Sequence, residues 1–118
     1  MTIDNAIASL AVTDLKTSVI WYEKVFGRSA DSTPMPELAE WKFARGGWLQ
    51  VYQLADRAGS CSCALAVTSL AEEISKLDKL GINTSQQSSG LRVKTLMIVD
   101  PDGNHLAFAE AIDTMMAR

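Results

Sequence analysis

Histidine and cysteine, two residue types that commonly bind metals, are scarce in this sequence of 118 residues. The chain has one histidine, His105, and two cysteines, Cys61 and Cys63. Cysteines two residues apart in a strand share a face but are poorly placed for a disulfide. No second cysteine pair or suitably spaced histidine completes a zinc site, and no second histidine or serine nucleophile motif suggests a catalytic triad. We therefore expect both cysteines to be reduced and structural.

The sequence also lacks long apolar runs, a basic N-terminal stretch and any large excess of charge. No run approaches the roughly 20 apolar residues that span a bilayer, and the first residues do not have the pattern of a secretory signal. The formal net charge is -3, without a basic stripe that would bind a phosphate backbone. We expect a cytoplasmic protein with neither a nucleic acid nor a membrane as its partner.

An internal repeat organises the chain. The segment 10–15, Leu-Ala-Val-Thr-Asp-Leu, recurs 55 positions later as Leu-Ala-Val-Thr-Ser-Leu at 65–70, with five of six residues identical. In each copy an apolar run ends at a helix-capping residue, Asp14 or Ser69. The second cap continues as Ser69-x-x-Glu72, the pattern of a capping box.

Each copy then continues in the same way. Apolar residues at helical spacing predict a helix that ends at Gly27 in the first copy and at Gly81 in the second. A polar stretch that contains a short strand, and then two further strands, follow each helix. The strands are expected near 29–33, 41–44 and 48–54 in the first half, and near 82–86, 94–99 and 105–111 in the second. The sequence thus predicts an α+β fold of two βαβββ modules, about 5–54 and about 60–112, within one domain, 1–118.

Three segments resemble a known superfamily. They are Val12–Leu15, Trp21–Gly27 and Asp100–Asn104, the last reading Asp-Pro-Asp-Gly-Asn. Over about residues 5–111 the chain resembles the glyoxalase, bleomycin-resistance and extradiol-dioxygenase superfamily, also called vicinal oxygen chelate (VOC), and its metal-free bleomycin-resistance-like members in particular. The resemblance implies curled mixed sheets around a cavity. In the bleomycin-resistance-like members it also implies drug binding, generally by dimers.

Enzymes of that superfamily hold a divalent metal at four inward positions through histidine, glutamate or glutamine. The resemblance carries these positions to Ile7, Gln50, Ser62 and Ala107. Isoleucine and alanine have no donor atom in their side chains, and only Gln50 is a credible ligand. We therefore expect no metal and no other cofactor, and the ordinary metal-dependent activity of the superfamily is disfavoured.

Strand alternation predicts what the cavity offers instead. Residues two apart share a face, so Trp48, Gln50 and Tyr52 are expected to point inward with the carried-over positions. This lining suits a flat or apolar organic molecule stacked on an aromatic ring and hydrogen-bonded to the amide. Alternatively, the aromatic side chains fill the cavity or a subunit contact. The predicted ligand-binding residues are Trp48, Gln50, Tyr52, Trp41, Ser62 and His105.

Three classes of function remain open. The favoured one is a metal-free protein that binds a small organic molecule, such as a drug or antibiotic that it sequesters, in a cavity or in the groove of a homodimer. An enzyme is the alternative, either a glyoxalase-like metal-dependent lyase, isomerase or dioxygenase, or a metal-free enzyme that uses His105 or Tyr52 as an acid–base group. The third class is a non-catalytic structural dimer. The tail 112–118, with Met115 and Met116, is expected either to dock on a partner subunit or to fray.

Overall fold

The computed structural model describes residues 2–113, so Met115 and Met116 lie outside the described residues. Two copies of a strand, a helix and three strands follow one another along the chain, as the repeat predicts, joined by a 3-10 turn at Ala55–Arg57. The first copy consists of β1 (Ile7–Val12), α1 (Leu15–Phe26), β2 (Ser32–Met35), β3 (Leu38–Lys42) and β4 (Trp48–Gln53). The second consists of β5 (Ser62–Ala66), α2 (Leu70–Lys79), β6 (Gln86–Ser89), β7 (Val93–Val99) and β8 (His105–Ala111).

Each copy forms its own mixed four-stranded sheet. The strand orders are β1-β4-β3-β2 and β5-β8-β7-β6, in which the first strand of each copy pairs in parallel with the last. All other pairs are antiparallel, and neither sheet closes into a barrel. The α+β fold class predicted from the sequence is confirmed.

The described residues divide into two compact units. Unit 1 contains 2–61 together with 100–104, and unit 2 contains 62–99 together with 105–113. The segment 100–104 is the Asp-Pro-Asp-Gly-Asn turn between β7 and β8, so a turn from the second copy belongs to unit 1. The arrangement of both modules in one domain stays a prediction.

In unit 1, α1 packs on one face of the sheet because its apolar residues recur at helical spacing. The helix buries Leu15, Tyr22 and Val25, and the sheet buries Leu49 and Val51 of β4. In unit 2 the same arrangement buries the following residues of α2, β7 and β8: Leu70, Leu77, Leu96, Ile98, Leu106 and Phe108. No helix among the described residues is both long and apolar enough to cross a membrane.

The helix boundaries follow the predicted signals. Asp14 and Ser69 are the N-caps, and the Ser69 hydroxyl accepts a hydrogen bond from the Glu72 amide at 3.3 Å. Gly27 and Gly81 follow the last helical turns with φ angles of 73° and 77°, the left-handed region in which glycine carries no Cβ penalty.

Several strand boundaries differ from the prediction. β2 begins at Ser32 and β6 at Gln86, three and four residues later than the expected starts at 29 and 82, and β3 covers Leu38–Lys42 where 41–44 was expected. β2 and β6 lie in polar stretches that contain little hydrophobic alternation, so their ends are set by pairing with the neighbouring strand. The shift of β3 matters for the site, because it brings Glu40 into the sheet.

Both cysteines are free thiols, but only Cys63 lies in β5. Cys61 precedes that strand, and its Sγ accepts a hydrogen bond from the Ala11 amide at 3.4 Å. Burial raises the pKa of the Cys63 thiol to about 11. Cys61 therefore helps to hold β1 of unit 1. The Cys63 thiol stays protonated in neutral solution and is therefore unreactive.

Candidate functional site

One face of the unit 1 sheet is not covered by α1, and we call it the open face. Along β4 the side chains alternate as predicted: Leu49 and Val51 are fully buried beneath the helix, whereas Trp48, Gln50 and Tyr52 are half-buried on the other side. These three predicted residues therefore share the open face.

Strand register arranges the open face in three rows across the sheet. The first row is apolar and aromatic, the second is polar, and the third combines a cation with an indole and an aliphatic side chain. The rows are Leu38, Tyr52 and Ala11, then Ser32, Glu40, Gln50 and Ser9, and then Lys42, Trp48 and Ile7.

Side-chain hydrogen bonds connect the whole second row, which we call the polar row. Ser9 donates from Oγ to Gln50 Oε1 at 3.2 Å, and Gln50 Nε2 donates to Glu40 Oε2 at 2.7 Å. The other carboxylate oxygen, Glu40 Oε1, accepts from Ser32 Oγ at 3.2 Å. An ionised carboxylate only accepts hydrogen bonds, so this contact fixes which end of the Gln50 amide faces Glu40.

The third row contains a cation–π contact. The Lys42 ammonium nitrogen lies 5.8 Å from the centroid of the Trp48 ring, within the range of such contacts. The exposed Lys42 is therefore associated with the end of the open face that carries Trp48, and it lies one row beyond Glu40.

A cleft lies at the other end of the open face, beside Tyr52. Its volume is about 470 Å³ and it is open to solvent. Glu37, in the turn between β2 and β3, supplies a carboxylate to its wall. The lining residues are Ser9, Met35, Glu37, Leu38, Gln50, Tyr52 and Gln53. Two of the predicted ligand-binding residues thus line a cleft of unit 1.

Trp41, one of the predicted ligand-binding residues, lies on the helix-covered side of the sheet instead of the open face. Its side chain is fully buried, and its ring packs against Tyr22 and Phe26 of α1 with centroid distances of 6.1 and 5.5 Å. The indole nitrogen donates to the Arg28 carbonyl at 3.2 Å. Trp41 pairs with Leu49 in the sheet and so has the parity of the helix-covered face, which removes it from the proposed lining.

Ser62 and His105 belong to unit 2. They are register partners in β5 and β8, and both side chains are exposed. The face that they share otherwise carries small residues, with Ala64 paired to Ala107 and Ala66 to Ala109. A ligand-contacting role for Ser62 and His105 stays a prediction.

The residues at the four positions that hold a metal ion in enzymes of the VOC superfamily are not suited to binding a metal ion here. Ile7 and Ala107 offer no donor, and the Gln50 amide is already bonded to Ser9 and Glu40. Among the described residues, no three histidine, cysteine, aspartate or glutamate side chains are grouped as a metal site would need. The donor set gives no basis for metal chemistry at these positions.

Sequence reasoning missed Glu40 and Glu37. Glu40 lay outside the predicted strand 41–44, although the alternation in Leu38-Ala39-Glu40-Trp41-Lys42 was an available signal for a strand with a polar face. No sequence pattern marked Glu37 as a site residue, because it lies in a turn that only the fold brings to the cleft.

Solved structures provide the similarity that sequence searches lack: no protein-family model matches the sequence, and no curated protein matches significantly. A glyoxalase/bleomycin resistance protein from Catenulispora acidiphila is 27% identical with a TM-score of 0.81, over 90% of this chain and 96% of that one. TnmS3, an antibiotic binding protein from Streptomyces sp. CB03234, is 16% identical with a TM-score of 0.78, over 94% and 98%. A bleomycin resistance determinant encoded on transposon Tn5 is 22% identical with a TM-score of 0.70, over 96% and 100%. The fold indicated by the sequence motifs is confirmed.

Proposed function

Since the chain has the fold of the glyoxalase/bleomycin-resistance proteins of the VOC superfamily, as its motifs predict, we propose that it binds a small organic molecule without a metal and without catalysis. The observation that carries this proposal is the cleft beside Tyr52. Its volume of about 470 Å³ falls within the range of small-molecule sites, which is roughly 300–1,000 Å³.

The chemistry of the cleft supports a ligand with a flat or apolar part. The half-buried Tyr52 offers a ring for stacking, while Leu38 and Met35 add apolar surface. Gln50 and Ser9 supply polar atoms at fixed positions because they are hydrogen-bonded to each other. The cleft thus combines apolar and aromatic surface with polar side chains that can orient an organic ligand.

Antibiotic sequestration is the form of this function that we propose first. TnmS3 is an antibiotic binding protein, and the Tn5 protein is a bleomycin resistance determinant. A protein that only sequesters a drug needs shape and affinity, with no reacting group. The donor-poor set of Ile7, Gln50, Ser62 and Ala107 agrees with such a role, since it provides no means of activating a substrate through a metal.

Calorimetric titration with bleomycin, doxorubicin and acridine tests the proposal. We expect at least one of these compounds to bind, and Tyr52→Ala to weaken its binding about tenfold or more through loss of the stacking ring. Tyr52→Phe is the matched control, because it keeps the ring and removes only the hydroxyl, and it should retain most of the affinity. Equal affinities for the wild type and Tyr52→Ala would place the ligand elsewhere, and no binding of any compound would count against the function.

The same titration, repeated after dialysis against EDTA, tests the metal-free part of the proposal. Affinity should not change, and elemental analysis of protein purified without chelator should find far less than one metal ion per chain. About one tightly held metal ion per chain, or affinity that EDTA abolishes, would instead favour a metal-dependent enzyme.

A further inference from the structure

We propose that Glu40 determines the chemical class of the ligand, and that this class is an organic cation with a flat ring. The inference rests on the proposed function, because it concerns the ligand of the same cleft. Glu40 does not itself line the cleft, but its negative charge selects cationic molecules over neutral and anionic ones.

Glu40 is placed at the centre of the open face. It pairs with Gln50 in the sheet register, and its Oε2 lies 2.7 Å from the Gln50 amide nitrogen. Leu38 and Gln50, its neighbours along β3 and across to β4, both line the cleft. The carboxylate therefore lies beside Gln50 of the cleft wall, on the same face of the sheet, and Ser32 and Gln50 hold it there.

The hydrogen bonds of the polar row leave mostly acceptors for a ligand. The Ser9 hydroxyl hydrogen is directed at Gln50 Oε1, and one amide hydrogen of Gln50 is directed at Glu40. What remains is the second amide hydrogen of Gln50 and the lone pairs of Ser9 Oγ, Gln50 Oε1 and the Glu40 carboxylate, so acceptors outnumber donors. A ligand that brings N–H donors, above all charged ones, complements this wall.

The charges around the cleft have one sign. Glu37 is in the lining, Glu40 lies next to the lining residue Gln50, and no lysine, arginine or histidine is among the described residues that form the wall. Lys42, the cation on the same face, is held over Trp48 in the row farther from the cleft. A cation beside Tyr52 would interact with the carboxylates and the ring together, whereas an anion would be repelled.

Three planar probes with the same ring system separate charge from shape: proflavine, which is cationic at pH 7.5, acridine, which is uncharged, and acridine-9-carboxylate, which is anionic. Dissociation constants are measured for each by fluorescence titration with the full-length protein. We expect proflavine to bind about tenfold more tightly than acridine, since hydrogen bonds to charged groups are substantially stronger than neutral ones. The anionic probe should bind most weakly.

Two substitutions at Glu40 distinguish its charge from its support of Gln50. Glu40→Gln removes the charge and retains a hydrogen-bonding partner, so the preference for proflavine over acridine should fall to about threefold or less through loss of proflavine affinity. Glu40→Ala also releases the Gln50 amide, so acridine affinity should fall as well. Glu72→Gln, on the exposed surface of α2, is the control for overall charge and should leave all three constants unchanged.

The outcomes separate this inference from the function on which it rests. Loss of the cation preference in Glu40→Gln but not in Glu72→Gln supports it. Equal binding of the three probes to the wild type, or loss of the preference only in a Glu37→Gln variant, overturns the role of Glu40 while leaving a binding cleft. If none of the three probes binds and neutral ligands also fail, the proposed function itself is contradicted. Thermal unfolding of each variant establishes that it is folded.

Discussion

Asn104 explains why the Asp-Pro-Asp-Gly-Asn turn is more than a connection between two strands. Its side chain is fully buried and donates to the Ala11 carbonyl at 2.7 Å and to the Asp100 carboxylate at 2.9 Å. Its Oδ1 accepts from the amides of Gly59 and Cys61, both at 3.0 Å. A buried amide with these partners is fully satisfied, which makes it a specific connection between otherwise distant segments of unit 1.

Neighbouring residues of the turn complete this connection. Asp100 accepts a hydrogen bond from the Tyr22 hydroxyl at 2.7 Å, and Asp102 accepts one from the Thr13 amide at 3.2 Å. Asn104, Cys61 and Asp102 bond backbone groups at the end of β1 and just beyond it that β4 does not reach. Side chains thus protect part of an edge strand that would otherwise offer unpaired backbone groups to another chain.

Gly59 is the residue whose substitution tests this account. Its φ angle is +92°, and a Cβ at this position would lie 2.5 Å from the Asp102 carbonyl oxygen. We expect Gly59→Ala to lower the free energy of unfolding by about 2 kcal/mol or more, from strain and from displacement of the turn. Urea denaturation followed by circular dichroism measures the change.

Gly47→Ala is the control for that experiment, because a Cβ there meets nothing within 4 Å and its φ angle is not in the left-handed region. It should change stability by well under 1 kcal/mol. An identical denaturation midpoint for Gly59→Ala and the wild type would mean that the turn at 100–104 is not held as described.

At the scale of elements, the first amide of each helix donates a hydrogen bond to a side chain from the last strand of the same copy. The amide of Leu15 donates to Gln53 Oε1 at 2.9 Å, and the amide of Leu70 donates to Glu110 Oε1 at 2.8 Å. Gln53 ends β4, and Glu110 is at the matching position of β8. The first amide groups of a helix have no partner within the helix, so each of these contacts satisfies one of them.

Replacing these two side chains should weaken the two helix starts to a similar degree. We expect Gln53→Ala and Glu110→Ala each to lower the free energy of unfolding by about 1 kcal/mol, as is typical when a helix cap is lost. Thermal and urea denaturation provide the values. Gln86→Ala, on the exposed edge strand β6, is the control and should be nearly neutral. A neutral result for both cap variants would show that water replaces these side chains at little cost.

At the scale of the whole molecule, the sheet of unit 2 leaves small apolar side chains uncovered. Ala64 and Ala66 are exposed, and Met97, Ala107 and Ala109 on the same face are half-buried. A contiguous apolar patch on a sheet is typical of an interface. We propose that a second copy of this chain covers it, as expected from the sequence resemblance.

Light scattering coupled to size-exclusion chromatography tests the homodimer. The measured mass should be about twice that of one chain, and Ala64→Glu should shift it toward one chain, because a buried unpaired charge is costly in an apolar contact. Ala71→Glu, at an exposed position of α2, is the control and should leave the dimer intact. A single-chain mass for the wild type would contradict the proposal.

The sequence by itself determined the features that depend on neighbours along the chain. The repeat, the caps at Asp14 and Ser69, the ends of both helices and the alternation in β4 are local patterns, and the structure reproduces them. They sufficed for the fold class because packing follows from which residues of each element are apolar. They also placed Trp48, Gln50 and Tyr52 on one face.

Only the tertiary structure decided what surrounds those residues. Trp41 proved to be in the core because it pairs with Leu49 of β4, and Glu40 lies on the open face because it pairs with Gln50. A hydrogen bond such as that between Gln50 and Glu40 joins two strands, so its existence depends on register. Three of the four side-chain bonds of Asn104 likewise depend on segments more than 40 residues away, which no local pattern specifies.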